Sequence, residues 1–254
     1  MQQTIAKAPP KRSRWTLKLL RESIHWLNER SLSCVWKTLR TLGLVYKRGR
    51  EATHSPDPDY DLKLAYIASA QQQVLDEPEQ VVLLYQDELT YYRRSSLARA
   101  YAAIASKEPK ALQGYTTNKK RRIAGSLNWY TGQFHAQQRH RFGVEQLQRY
   151  YRYLETLYLA ARTIYLVQDN WQVHRHPTLW TFFQTSRIVP LFLPTYAPWT
   201  NPAEKVWLRL KQELLHLHPF GDNWQALQDH VHAWLARWHL PSPELLHYVG
   251  LSPY

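Results

Sequence analysis

Cysteine is nearly absent: the chain of 254 residues holds one, Cys34. A lone thiol excludes an internal disulfide and suits a reducing compartment. Long hydrophobic runs are missing too. The N-terminus, MQQTIAKAPPKR, has no apolar stretch of the signal-peptide kind, and nowhere do about 18 apolar residues follow one another. The expectation is a soluble protein of the cytoplasm with no membrane partner. Internal repeats and low-complexity tracts are also absent. Acidic residues are scarce in one place: residues 1–50 hold twelve Lys and Arg against two Glu, a net of +10 out of +13, which leaves +3 for residues 51–254. Such an imbalance is expected of a nucleic-acid-binding arm on a more neutral body.

Hydrophobic residues make up 44% of the chain, enough for one good-sized core and a small appendage. The basic end carries helical periodicity. WTLKLLRESIHWLN (15–28) reads as one amphipathic helix and SLSCVWKTLRTLGL (31–44) as a second, with Ser31 or Ser33 as cap, Val35, Leu39 and Leu42 on one face and Gly43 as the stop. Two short helices joined by a tight turn fit a helix-turn-helix module over residues 1–50. Lys37 and Arg40 fall on the exposed side of the second helix, with Lys47, Arg48 and Arg50 just beyond it, as candidate DNA contacts. An ordinary solvated helical hairpin is the competing reading. EATHSPDPD, within 51–59, is polar and proline-punctuated and reads as a linker.

From residue 60 to 254 helix and strand patterns alternate. DLKLAYIASAQQQVL (61–75) is helical, and VVLLYQDE (81–88) is a continuous apolar run that stops at acid, as a strand buried on both faces does. RIAGSLNWYTGQFHAQQ (122–138) reads as a hairpin around Thr131 and Gly132. VEQLQRYYRYLETLYLAAR (144–162) sets Leu147, Tyr151, Leu154, Tyr158 and Ala161 on one helical face. Two further buried-strand patterns follow, TIYLVQDN (163–170) and RIVPLFLP (187–194), and NWQALQDHVHAWLARW (223–238) adds a last amphipathic helix. Together they predict a mixed α/β sheet covered on both faces.

Two of these strands end alike in Gln-Asp, at Asp87 and at Asp169. In neighbouring strands they stand side by side at the sheet edge, where open α/β sheets bind ligands. A third acid, Glu204, lies in LPTYAPWTNPAEKVW (193–207). Locally it reads as a helix cap: Asn201 as N-cap, Pro202 at the first position, and the glutamate closing a capping box. Yet Glu204, Trp207, Leu208 and Lys211 share one helical face, which points the carboxylate toward the protein. No lysine or arginine sits in the motifs around Asp87 and Asp169 to neutralise them. Clustered carboxylates repel unless a cation lies between them, and oxygen-only ligands favour magnesium or manganese over zinc.

These motifs resemble the bacterial insertion-sequence transposases of the mariner superfamily. Asp169 and Glu204 are separated by 34 residues. The family's Asp-Asn followed by His matches Asp169, Asn170 and His174. Its Leu-Pro, Tyr, Pro, Asn-Pro and Glu, then Trp and Lys, matches Leu193, Pro194, Tyr196, Pro198, Asn201, Pro202, Glu204, Trp207 and Lys211. The first acid matches at Asp87 and Glu88, and the likeness spans roughly residues 14–215. The resemblance implies an RNase H-like catalytic domain with an Asp, Asp, Glu triad holding two Mg2+ or Mn2+ ions. Cleavage at element ends is followed by attack of the freed 3′-hydroxyl on target DNA. It implies double-stranded DNA as partner, a homodimer when the ends are synapsed, and a nucleoid-associated location. Glu88, Asn170, His174 and Asn201 become candidate supports of the acids, with a structural histidine the alternative for His174. Lys119, Lys120, Arg121 and Arg122 are candidate phosphate contacts, or a solvated charge run. A non-catalytic DNA-binding derivative and a nuclease acting on RNA in hybrids are the competing functions. Family members carry two DNA-reading units where this chain has room for one before Asp59, so a truncated or split-frame product is expected.

Overall fold

The computed structural model describes residues 5, 9, 14–46, 54–104, 107–111, 114–115 and 117–251. The chain divides into two compact units, Met1–Thr53 and His54–Tyr254.

In the first unit, α1 (Leu17–Ser23) is capped by Thr16, whose hydroxyl accepts from the Leu19 amide at 3.2 Å. It is shorter than the expected 15–28 because Ile24 turns extended (φ −117°) and a 3-10 turn, His25–Leu27, follows. That break lets Ile24 and Leu27 join Leu20 and Val35 in a small core. Ser31, not Ser33, caps α2 (Leu32–Thr41), accepting from the Cys34 amide at 3.2 Å. Gly43 at φ 72° ends it. The buried stripe is narrower than expected, since Leu42 is exposed. Lys37 and Arg40 are exposed, with the Arg40 guanidinium 5.1 Å from the Trp36 ring. Lys47, Arg48 and Arg50 lie outside the described residues.

The second unit runs α3 (Tyr60–Asp76), β1 (Val81–Tyr92), β2 (Lys120–Asn128), β3 (Phe134–Arg139), α4 (Val144–Leu157), β4 (Thr163–Gln168), α5 (Pro177–Phe183), β5 (Ile188–Phe192), α6 (Ala203–Leu210), α7 (Trp224–Ala236) and α8 (Pro243–Val249). One sheet has the order β3-β2-β1-β4-β5, with β1, β4 and β5 parallel and β2 and β3 antiparallel. It is the mixed, doubly covered sheet that the alternation predicts. Central β1 explains its own apolar run: Leu83 and Tyr85 pack in one core with Ile67, Val206 and Leu227, while Val82 and Leu84 pack in another with Leu147, Tyr151 and Leu179.

Several expectations are corrected. β1 does not stop at Asp87 and Glu88; it continues to Tyr92, because β2 pairs with it as far as Tyr92 opposite Lys120. β5 is not a buried strand but a sheet edge, largely half-buried, and its Pro190 is tolerable there. α4 ends at Leu157, so Tyr158 and Ala161 lie beyond the helix, though Ala161 remains buried. The expected linker is docked over its second half. Ser55 and Asp57 bond to Thr195, and Asp57 pairs with Lys63 at 2.6 Å.

Candidate active site

Parallel pairing of β1 with β4 reaches Tyr85 opposite Val167, and the same register continued brings Asp87 level with Asp169. Asp87 is therefore at a strand end only with respect to β4. Along β1 it falls on the face that packs against α6, and Glu88 on the opposite face. Across the other edge of β1, Asp87 is opposite Gly125, where a Cβ would collide with the rings of Phe134 and Trp207. The missing side chain admits Trp207, which is 1% exposed and meets Phe134 edge-on at 5.2 Å. Seating Trp207 brings the first turn of α6, and with it Glu204, to the acids. Asp87, Asp169 and Glu204 line one cleft of about 330 Å³, shared with Asn170, Trp171 and the 193–198 segment. A larger hollow of about 690 Å³ in the N-terminal unit, lined by Leu17, Leu20, Trp36 and Leu39, contains no acid, so the chemistry belongs to the smaller cleft.

Glu204 is not a cap. Asn201 caps the first turn, its Oδ1 accepting from the Ala203 amide at 3.1 Å. The Asn201 amide, which a capping box would give to the glutamate, donates instead to the Pro198 carbonyl at 3.0 Å. Nor does Glu204 point into the core. The buried face of α6 is Ala203, Val206, Trp207 and Leu210, while Glu204 and Leu208 are exposed, with Glu204 facing the cleft. Asn201 also donates from Nδ2 to the Gln86 carbonyl at 3.3 Å, fastening the start of α6 beside Asp87.

The acids differ in their neighbours. Burial, then the charges of Glu204, Glu88 and Asp169, push the Asp87 carboxyl up to about 8, although the Glu88 amide donates to it at 2.9 Å. Asp169 also feels burial, but hydrogen bonds from His174 and the Trp171 amide outweigh it and hold the carboxyl below the usual range. His174 is fully buried, with Nδ1 at 3.1 Å from Asp169 Oδ1 and Nε2 at 3.0 Å from Glu88 Oε1. Burial opposes its charge, yet the two carboxylates prevail and push it up to about 10, so both nitrogens donate. His174 thus joins the two faces of the sheet at the site. Asn170 lines the cleft, but its polar atoms are engaged within the protein: Nδ2 donates to the Leu193 carbonyl at 2.7 Å and Oδ1 accepts from Arg175.

Among the described residues no three His, Cys, Asp or Glu side chains are gathered tightly enough to hold a single ion. The donor chemistry nevertheless fits hard divalent cations. The three groups lining the cleft are oxygen ligands, the Trp171 amide and His174 both meet Asp169 at Oδ1 rather than Oδ2, and Asp87 is under negative charge that no cationic side chain among the described residues of the cleft relieves.

The basic run is less uniform than expected. Lys119 and Lys120 are exposed, while Arg121 and Arg122 are half-buried and Arg121 Nε donates to Gln228 Oε1 at 2.5 Å, which ties β2 to α7. Gly125, Ser55 and Asp57 escape sequence reasoning. Their only signals are a glycine inside an apolar strand and the S-P-D-P-D turn chemistry ahead of α3.

With this geometry in place, the sequence of residues 82–228 matches the family described as DDE superfamily endonuclease, over more than half the chain. The chain belongs to the DDE superfamily endonucleases. A Shigella sonnei relative, described as insertion element IS630 uncharacterized 39 kDa protein, is 25% identical over 225 residues, 85% of this chain and 63% of the relative. The chain therefore spans less than two thirds of that protein's length. Among solved structures, the Mos1 transposase paired-end complex with left transposon end superposes with a TM-score of 0.63 at 16% identity, over 87% of this chain and 67% of that one. The Mos1 mariner paired end complex with Mn gives 0.64 at 15% identity, over 92% and 70%. At such identities the likeness speaks for the fold, which is the RNase H-like arrangement of a DDE endonuclease.

Proposed function

We propose that this chain is a DNA transposase of the IS630 and mariner type, cutting DNA at the ends of its element and joining the freed ends to target DNA. The observation that carries this is the convergence of Asp87, Asp169 and Glu204 on one cleft, with the buried Asp87 repelled by its neighbours and paired with no cation among the described residues. Two Mg2+ or Mn2+ ions, when bound, would activate a water or 3′-hydroxyl and stabilise the leaving oxygen. Asp87, most buried of the three, would hold the ions together with Asp169 and Glu204.

The remaining side chains position these acids. His174 donates to Asp169 and so turns that carboxylate's other oxygen to the cleft, while Asn201 aims the first turn of α6. Lys37 and Arg40 in the N-terminal unit, with Lys119 and Lys120 at the start of β2, supply phosphate contacts. Asn170 braces its loop and Arg121 ties β2 to α7 first. Double-stranded DNA is the substrate, and a homodimer holds two ends.

The test is DNA carrying the element's own ends, with Mg2+ or Mn2+ present and then chelated. Nicking should require the metal, and Asp87→Ala, Asp169→Asn and Glu204→Gln should each abolish it while DNA binding persists. Nicking by all three variants at the wild-type rate defeats the reading.

A further inference from the structure

Tyr196 stands at the rim of the acid cleft with its backbone in the left-handed region, φ 54°. Bulky side chains avoid that conformation, and it persists only where the surroundings over-determine it. They do so here. The Thr195 carbonyl accepts from Ser55 Oγ at 2.5 Å, and its amide donates to Asp57 Oδ2 at 2.7 Å. Asp57 is itself held by Lys63 at 2.6 Å. Downstream, Trp199 Nε1 donates to the Tyr60 hydroxyl at 3.4 Å, and Asn201 is tied to the Gln86 carbonyl. Residue 196 is thus clamped from both sides, and its ring remains 77% exposed.

A flat ring on a braced loop has little freedom left to lose on binding. The cations that the acids would hold draw in a phosphate but do not fix how its nucleotide lies. A contact at the rim that does not depend on charge would orient it, and the face of a base is the broad flat surface that a tyrosine ring can take.

We propose that Tyr196 is a base-stacking residue, whose ring takes the face of a nucleobase next to the phosphate that reaches the acids. This rests on the reading of the cleft as a DNA-cutting site. Tyr196 positions the strand and touches none of the reacting atoms.

Two probes separate the claims: Mn2+-dependent nicking of supercoiled plasmid, and quenching of the fluorescent base aminopurine in a single-stranded oligonucleotide mixed with the protein and Ca2+. Wild type and Tyr196→Phe should quench and nick alike. Tyr196→Gly removes the ring and also the backbone strain, so its melting temperature should be equal or higher. Its quenching should vanish and its nicking fall roughly tenfold. Full quenching and nicking by Tyr196→Gly overturns the proposal, and so does a Tyr196→Phe defect as deep as that of Tyr196→Gly, which would assign the role to the hydroxyl. If wild type does not nick at all, the function reading fails, and stacking is then decided by quenching alone: present with Tyr and Phe and absent with Gly supports it, any other pattern overturns it.

Discussion

Asp87 and Glu88 are neighbours in sequence and alike in chemistry, yet the two faces of the sheet treat them in opposite ways. Glu88 meets the buried His174 at 3.0 Å and accepts from Gln86 Nε2 at 2.7 Å. Asp87 meets other carboxylates and is pushed up to about 8 by burial and their charge. A carboxylate that finds its countercharge within the protein supports a structure, whereas one left without it is where an external cation belongs. Strand alternation separates the two environments.

The comparison breaks most visibly in catalysis. Asp87→Asn should lower the nicking rate about a thousandfold or more, since the loss of a metal ligand removes several kcal/mol of transition-state stabilisation. Glu88→Gln, acting through His174, should cost roughly tenfold, in the range of lost outer partners. Rates measured on the same end-bearing duplex check both, and equal losses would erase the distinction between the faces. His174→Ala should come next, destabilising the fold by about 3 kcal/mol because Glu88 and Asp169 lose the buried charge between them. The sign follows from a histidine raised to about 10: its contribution is full below the unfolded value of about 6.5 and fades as pH rises through about 10. Urea melts of both proteins at pH 6 and pH 10 should show the gap shrinking. Smallest is Asn201→Ala, which removes a cap worth about 1 kcal/mol and the tie to the Gln86 carbonyl. Its nicking rate should fall by more than its melting temperature explains, and unchanged values of both would remove Asn201 from the site.

Much of this was legible in the chain. The apolar runs of β1 and β4 gave away buried parallel strands, and the shared Gln-Asp brought Asp87 and Asp169 level. Glycine signals found the α2 stop at Gly43 and the turn at Gly132. Other features were hidden because they depend on partners remote in sequence. β1 outruns its acid because β2 extends it, and β5 is an edge because no described strand lies beyond it. Glu204 satisfied every local rule for a capping box, but the Asn201 amide found the Pro198 carbonyl first. The clamp on Thr195 joins residues 138 and 140 positions apart, beyond the reach of any periodicity.

Mn2+ titration of the purified chain, followed calorimetrically in wild type, Asp87→Asn and Glu88→Gln, tests the division between the faces without any DNA. Wild type and Glu88→Gln should each take up two ions per chain, and Asp87→Asn should lose that binding. Undiminished uptake by Asp87→Asn, or its loss in Glu88→Gln alone, would place the cation on the other side of the sheet and contradict the assignment of the cleft.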